Sequence, residues 1–221
     1  MIAAVKKLFP DSFKARHRMT WFRLRRIVRP PRVPQNEGGK VYIHLGCGAV
    51  NHPRFINVDA LPHPHIHHVG GVERLPMFGD ASADLIYTCH CLEHISHLEV
   101  PAVLREWSRV LKPGGVLRVS VPDFEKVLRI YEANDRRMDA INEPMLGGQN
   151  YEFNFHYSAY NRAWLEKLFA DAGLVNIREW TPGTDDLTTF NDWSGKSCTV
   201  FGKKFPISLN IEGQKPATPV S

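Results

Sequence analysis

Two glycines and an acidic residue near position 50 form a pattern that suits a nucleotide-type ligand. The β-branched run that ends at Leu45 predicts a buried strand, and Gly46 and Gly48 follow it directly. Glycine lets the backbone turn sharply and approach a ligand where a Cβ would obstruct it. Asp59 ends the next apolar run, where its carboxylate can accept hydrogen bonds from a ribose diol. The third glycine of the dinucleotide fingerprint is absent, so the ligand must be identified from the rest of the chain.

The middle of the chain predicts the elements that position this turn. Residues 84–88 form a compact apolar strand, residues 97–111 a helix, and residues 116–122 another strand, with a glycine turn at residues 112–115. Apolar side chains recur at helical spacing in the central segment: Val100, Val103, Leu104, Trp107 and Leu111. Alternating strands and helices predict a parallel sheet with right-handed crossovers and a ligand at the carboxyl ends of its strands.

Composition indicates one α/β domain with a basic arm. The chain has 221 residues, of which 43% are hydrophobic, enough for a single core. Residues 1–37 hold ten Lys and Arg against two acidic residues, whereas residues 38–221 are mildly acidic. The four cysteines show no metal-type pairing, which favours a reducing, cytoplasmic setting. No apolar run approaches the ~20 residues of a spanning helix, and no secretory signal is recognisable.

The arm combines arginines with apolar side chains at helical spacing. Trp21, Leu24 and Val28 define one face, and a proline-rich segment follows them. Such a helix suits the inner face of an anionic membrane or a partner protein. Packing of the same face on the domain is an equal alternative, and a nucleic-acid arm is less favoured.

Four histidines follow Asp59 within a proline-containing segment: His63, His65, His67 and His68. Alternate positions would share one face of an extended chain, but a supporting carboxylate is missing. We therefore predict a polar loop that leads to a short third strand at residues 67–69, and no metal site.

Several ordered motifs together resemble the class I S-adenosylmethionine-dependent methyltransferases. They are LGCG, INVD, LPM, DLIYTCHCLEHI and RVLKPGGVLRVSVPDF, and the resemblance runs from residue 41 to 215. The chain most resembles a small bacterial branch of methyltransferases similar to type 11. This branch is associated with surface-polysaccharide biosynthesis. The resemblance implies a Rossmann-like, seven-stranded, mostly parallel sheet with one antiparallel strand and helices on both faces. Residues 207–216 would supply the antiparallel strand.

The resemblance also implies a cofactor site for S-adenosylmethionine. Gly46, Cys47 and Gly48 would lie under its methionine part, and Asp59 would hold the ribose hydroxyls. Leu75 belongs to the turn beside the adenine. Cys89 and His90 follow the fourth strand and would flank the sulfonium. Methyl transfer mainly requires that donor and acceptor be positioned in line.

Two departures from the family pattern stand out. Only thirteen positions separate Gly46 from Asp59, so the first helix must be very short or absent. Gly70, Gly71 and Val72 occupy the region where the branch carries an adenine-binding Asp. Either Glu73 substitutes for that residue, adenine binds more weakly, or the cofactor role is lost.

A hydroxyl acceptor must lose its proton as it receives a methyl group, and neutral histidine suits that task. His94 follows the fourth strand and His156 lies in an aromatic loop, so both are candidate catalytic bases, with Glu93 and Asp123 next. A hydrogen bond or a helix cap is the structural alternative for each histidine. The aromatic side chains are suited to stacking on a sugar ring or to covering the cofactor: Tyr151, Phe153, Phe155, Tyr157 and Tyr160.

Three functions remain after these steps. The first is a methyltransferase acting on an oxygen of a glycan or of a lipid- or nucleotide-linked glycan precursor, and we favour it. The second is a methyltransferase for a lipid or nucleic-acid acceptor. The third is a non-catalytic binding module that keeps the fold, which the change at Gly71 permits. The sequence leaves the oligomeric state open.

Overall fold

The computed structural model describes residues 11–217, with side chains from Met19 onward. The first ten residues of the predicted arm lie outside this range. Helix α1 spans Asp11–Val28, the segment in which the helical spacing occurs.

A seven-stranded sheet forms the centre of the domain, with the order β3-β2-β1-β4-β5-β9-β6. The strands are β1 Tyr42–Leu45, β2 Ile56–Asp59, β3 His68–Val69, β4 Ala83–Cys89, β5 Leu111–Pro122, β6 Val175–Glu179 and β9 Ser208–Gln214. Strands β1 to β5 pair in parallel, whereas β9 runs antiparallel to both β5 and β6. The predicted sheet, including its antiparallel strand near the carboxyl terminus, is confirmed.

Four further helices flank the sheet: α2 Val100–Val110, α3 Phe124–Ala133, α4 Asn142–Leu146 and α5 Arg162–Asp171. Helix α2 begins three residues later than predicted, and Pro101 occupies its first turn, where the missing N–H costs nothing. The predicted glycine turn lies inside β5, where Gly114 has a φ of +79° at an irregularity of the β4–β5 pairing. No helix separates β1 from β2, so the shortened crossover is confirmed.

The core occupies both faces of the sheet because alternate side chains of each strand point in opposite directions. Ile43 and Ile86 belong to a cluster that includes Leu104 and Phe169 of α2 and α5. Tyr42 and Tyr87, the neighbouring residues of the same strands, lie on the other face in an aromatic cluster with Phe55 and Trp180. The sheet is therefore fixed from both sides, and its carboxyl edge keeps a defined shape.

A two-stranded hairpin that the sequence analysis did not predict lies beside the main sheet. It consists of β7 Ser197–Val200 and β8 Lys203–Pro206. Phe201 and Gly202 form its turn with φ values of +46° and +80°. Positive φ at both turn residues is the geometry that two-residue hairpins prefer.

In the part of helix α1 whose side chains are described, Phe22 and Arg26 contact the domain. The Phe22 ring lies 5.2 Å from the ring of His63, and Arg26 Nε donates to the Ile66 carbonyl oxygen at 2.8 Å. Trp21, Leu24 and Val28 are 53%, 56% and 77% exposed. The predicted apolar face is therefore solvent-facing in its described part. Among residues 11–217, no helix has the length and apolar character needed to span a bilayer.

Asp84 ties the first strand to the start of the fourth and fifth. Its carboxylate accepts hydrogen bonds from the Val41 backbone N–H at 2.9 Å and from the ammonium groups of Lys40 and Lys112. Burial opposes ionisation of this carboxyl, but the hydrogen bonds prevail and lower its pKa to about 2. A carboxyl with a depressed pKa stabilises the fold above its unfolded pKa of about 3.9 and loses that effect as the pH falls.

We expect Asp84→Asn to lower the free energy of unfolding by about 1–2 kcal/mol at pH 7. The difference from the wild type should shrink as the pH falls from about 4 towards about 2, because the wild-type carboxyl is then protonated as well. Urea unfolding at several pH values measures the loss of unfolding free energy at pH 7 and its decrease at lower pH. The control is Asp171→Asn, which breaks an exposed helical ion pair with Lys167 and should cost less than about 0.5 kcal/mol. Equal losses for the two variants would contradict this account of Asp84.

Candidate active site

A cavity of about 1100 Å³ opens at the carboxyl ends of β1, β2 and β4. This is the edge at which parallel α/β sheets bind ligands. All but one of the residues predicted for the site line it: Gly46, Cys47, Gly48, Asp59, Cys89, His90, His94 and His156. The exception is Leu75.

The glycine turn after β1 forms one wall of the cavity. Gly46 and Gly48 have φ values of +61° and +53°, which side chains rarely allow. A Cβ at Gly46 would overlap the Cys91 side chain, so this position requires glycine. The Gly46 N–H donates to the Val58 carbonyl at 2.9 Å and thereby joins the turn to β2.

Asp59 closes the turn from the end of β2. Its Oδ2 accepts a hydrogen bond from the Gly48 N–H at 2.7 Å, and its Oδ1 accepts one from the Leu61 N–H at 2.8 Å. The residue is only 8% exposed, yet it lines the cavity. Each carboxylate oxygen retains acceptor capacity for a ligand hydroxyl. The carboxylate is thus both a structural clamp and a suitable acceptor for a diol.

Glu73, the candidate substitute for an adenine-binding Asp, follows directly after Gly70, Gly71 and Val72. Its carboxylate rests against Gly71, so closely that a Cβ there would overlap it, and both residues line the cavity. Leu75, in contrast, is fully buried in the core and is not part of the lining. Its backbone N–H donates to Glu106 at 2.8 Å, which fixes the turn from behind. The structure therefore does not bring the Leu75 side chain to the ligand.

Cys89 and His90 end β4 next to the glycine turn. Burial raises the pKa of the Cys89 and Cys47 thiols, so both remain neutral. His90 has a φ of +49°, uncommon for a residue with a side chain, and its Nε2 lies 2.8 Å from Ser208 Oγ. Burial lowers the pKa of His90 to about 3. This part of the cavity is polar but uncharged.

Glu93, His94 and His156 meet deeper in the same cavity. Glu93 is 1% exposed, and neither carboxylate oxygen has a hydrogen-bond partner among the described residues. Burial raises its pKa to about 8. Burial, with His94 nearby, lowers the pKa of His156 to about 4, and burial also lowers that of His94. The rings of His94 and His156 lie 4.8 Å apart, so the two predicted catalytic residues are neighbours.

The aromatic loop lies over the open side of the cavity. Tyr151, Phe153 and Tyr157 are 49%, 45% and 58% exposed, and all three line the cavity together with Phe155. Tyr160 is different, because it is 2% exposed and its hydroxyl donates to the Leu92 carbonyl in the core. Its predicted place among the ligand-facing aromatic residues is wrong, because the ring is needed to pack against the sheet.

The histidines after Asp59 bond to backbone groups. His67 Nδ1 accepts from the Asn57 N–H at 2.9 Å, and its Nε2 lies 3.0 Å from the Arg32 carbonyl. His65 Nε2 lies 3.1 Å from the Gly48 carbonyl and supports the glycine turn. The predicted polar loop and the short strand after it are both present.

Sequence reasoning missed one wall of the cavity. Asp192 and Trp193 line it, and Asp192 accepts a 2.6 Å hydrogen bond from the buried Tyr87 hydroxyl. The unpredicted hairpin also contributes, through Cys198 and Phe201. The segment before the hairpin has no periodic pattern, and only its Asn-Asp-Trp run gives a signal.

Comparisons with known proteins agree with this geometry. Residues 44–119, from β1 to β5, match the family model described as a methyltransferase domain. No curated protein matches the chain. A solved S-adenosylmethionine-dependent methyltransferase from Archaeoglobus fulgidus is similar in fold, with a TM-score of 0.51 and 15% identity over 87% of this chain and 91% of that one. A chain from the complex of the Haloferax volcanii Trm112 methyltransferase activator with a methyltransferase gives a TM-score of 0.53 and 16% identity over 94% of both chains.

The cavity fits S-adenosylmethionine. Asp59 offers acceptors suited to a ribose diol, and a Cβ at Gly48, which lines the cavity, would project into open space. Burial keeps the Cys89 thiol and the His90 imidazole neutral, so neither side chain brings a positive charge into the cavity, as suits a cationic sulfonium. Residues 44–119 thus match a methyltransferase domain, and the sheet order and this fit support a methyltransferase that uses S-adenosylmethionine.

Proposed function

We propose that this enzyme methylates a hydroxyl oxygen of a glycan or glycan precursor at the cytoplasmic face of a membrane. The observation that carries the proposal is the second half of the cavity. There, a pair of neutral histidines lies beneath exposed aromatic side chains, in the same space as the cofactor-binding residues. At about 1100 Å³, the cavity exceeds the ~300–1000 Å³ typical of a single small ligand, which leaves room for an acceptor.

The histidine pair is suited to receive a hydroxyl proton. S-adenosylmethionine supplies an electrophilic methyl group, and the acceptor oxygen must shed its proton as it attacks. His94 Nδ1 lies 3.0 Å from the Phe155 carbonyl and donates its proton there, so in this tautomer Nε2 carries the lone pair. The lowered pKa of each ring keeps it neutral at pH 7 and able to accept a proton. We assign His94 and His156 to the acceptor side of the reaction.

The aromatic loop supports a sugar as the acceptor. Sugar rings present apolar C–H faces, and aromatic rings bury such surfaces while their edges and hydroxyls remain wet. Tyr151 and Phe153 are edge-to-face neighbours, with ring centroids 6.5 Å apart, and both line the cavity. Gly147, with a φ of +77°, begins this loop directly after α4.

The arm supports a membrane-linked acceptor. Trp21, Leu24 and Val28 form an exposed apolar stripe on α1, while Arg26 and Phe22 hold the helix to the domain. Arginines surround the stripe, as in helices that lie in anionic interfaces. The arm would hold the domain at a surface where lipid-linked precursors are assembled.

We expect Asp59→Ala to weaken S-adenosylmethionine binding at least tenfold, because the ribose hydroxyls lose their acceptor and the glycine turn loses its clamp. Calorimetric titration measures the dissociation constant. The control is Asp171→Ala, an exposed helix residue that should bind the cofactor as the wild type does. Unchanged binding by a folded Asp59→Ala variant would contradict the assignment of this carboxylate.

We expect His156→Gln to reduce kcat about 100-fold or more with a sugar hydroxyl acceptor, while cofactor binding changes little. The assay follows S-adenosylhomocysteine formation with nucleotide-linked sugars, lipid-linked sugars, a quinol and RNA as acceptors. His97→Gln, an exposed histidine outside the cavity, is the matched control. Transfer to the quinol or RNA but not to any sugar would reject the proposed acceptor class.

We expect Trp21→Ser combined with Leu24→Ser to abolish co-sedimentation with anionic phospholipid vesicles. The two side chains supply most of the exposed apolar area of the described stripe, and the arginines alone bind weakly at physiological salt. Leu98→Ser removes an apolar side chain that is 79% exposed on the domain and should leave binding unchanged. Vesicle binding that survives the double substitution would contradict the role of the arm.

A further inference from the structure

We infer that Glu93, His94 and His156 form a binding site for a divalent first-row transition-metal ion. This inference rests on the proposed function and deepens it, because the ion would hold the acceptor hydroxyl. One carboxylate and two imidazoles are the donor set of the facial triads that bind such ions and leave other positions open.

The three side chains are close enough to share one ion. One ligand atom from each residue lies within 4.8 Å of the other two, and His156 Nε2 is 4.0 Å from Glu93 Oε1. Ligands about 2.1 Å from a common ion lie about 3–3.5 Å apart. Small side-chain rotations therefore suffice to bring all three into coordination.

The buried Glu93 carboxylate has no lysine or arginine partner among the described residues. Its side chain is 1% exposed, and both oxygens lack a hydrogen-bond partner among the residues that the structure describes. Within 4.0 Å, the described basic nitrogens that face it come from His156 and from His90, whose Nδ1 is 3.6 Å away. Buried carboxylates are normally paired with a cation or coordinate a metal, and a bound ion would satisfy this one.

Backbone hydrogen bonds hold the two segments that carry the proposed ligands together in the structure without an ion. The Tyr157 and Ser158 N–H groups both donate to the Glu93 carbonyl oxygen, at 2.8 and 3.2 Å. These bonds join the loop that carries His156 to the short 3-10 turn Leu92–His94. Such ties between two separate elements preorganise a site, since little ordering remains to be done upon binding.

His94 has the outer hydrogen bond typical of a metal-bound histidine. Its Nδ1 donates to the Phe155 carbonyl at 3.0 Å, which directs the unprotonated Nε2 away from that carbonyl. Ligating histidines commonly donate their second ring N–H to a carbonyl or carboxylate, which sets the tautomer. His90, in contrast, has its Nε2 at Ser208 Oγ, 2.8 Å away, and is a neighbour of the site rather than part of the triad.

The location gives the ion a role in the reaction. All three residues line the cavity that contains the glycine turn and Asp59. A hydroxyl bound to the ion would release its proton to water at the open mouth of the cavity. Its oxygen would form the new bond to the methyl carbon, and the sulfur would keep the electron pair of the broken carbon–sulfur bond. His94 and His156 would then act as ligands, and without an ion they accept the proton themselves.

The test is calorimetric titration of the full-length, chelator-treated protein with MnCl₂ and, separately, with ZnCl₂. We expect one site per chain for at least one of these ions. Glu93→Gln and His156→Gln should each weaken it tenfold or more, whereas His97→Gln should bind as the wild type does. Thermal unfolding and titration with S-adenosylhomocysteine show whether each variant remains folded.

The outcomes separate this inference from the proposed function. Binding of S-adenosylhomocysteine without binding of either ion would overturn the metal site and leave the methyltransferase assignment intact. Metal binding that is unaffected by both triad variants would place the ion elsewhere and would also overturn the inference. Metal binding lost in both triad variants, in a protein that does not bind S-adenosylhomocysteine, would support the site and contradict the proposed function.

Discussion

The hydrogen bonds that Asp59 accepts from Gly48 and Leu61 are the interaction on which the rest of the site depends. The bond from Gly48 joins the turn after β1 to the end of the parallel strand β2, with no helix between them, and the bond from Leu61 orients the carboxylate. Further bonds, from the Gly46 N–H to the Val58 carbonyl and between His65 Nε2 and the Gly48 carbonyl, hold the turn from the same side. The carboxylate that holds the turn also lines the cavity, so the proposed recognition of the cofactor and the geometry of the turn depend on the same group.

The acceptor side of the cavity is governed by burial. Glu93, His90, His94 and His156 are collected at the end of β4 and in one loop, and burial shifts the pKa of each towards its neutral form. Because these four side chains are neutral, none of them would repel the positively charged sulfonium of the proposed cofactor. The neutral imidazoles of His94 and His156 also keep a nitrogen lone pair in the part of the cavity proposed for the acceptor. His94 and His156 therefore suit direct proton acceptance or, together with Glu93, coordination of an ion.

Local signals were sufficient to predict the sheet and half of the site. Gly46, Gly48 and Asp59 follow apolar runs whose periodicity specifies strands, and His94 and His156 are polar residues beside such runs. Tyr160 was misplaced because its burial depends on packing against residues far away in the chain. The hairpin and the Asp192 wall were missed for the same reason, since their positions follow from tertiary contacts and not from a repeating pattern.

A crystal structure of the protein with S-adenosylhomocysteine tests the central claim most directly. The account predicts that both ribose hydroxyls lie within hydrogen-bonding distance of Asp59. It also predicts that the sulfur lies beside Cys89 and His90 and faces the cluster of Glu93, His94 and His156. A ligand bound outside this cavity, or one whose ribose makes no contact with Asp59, would contradict it.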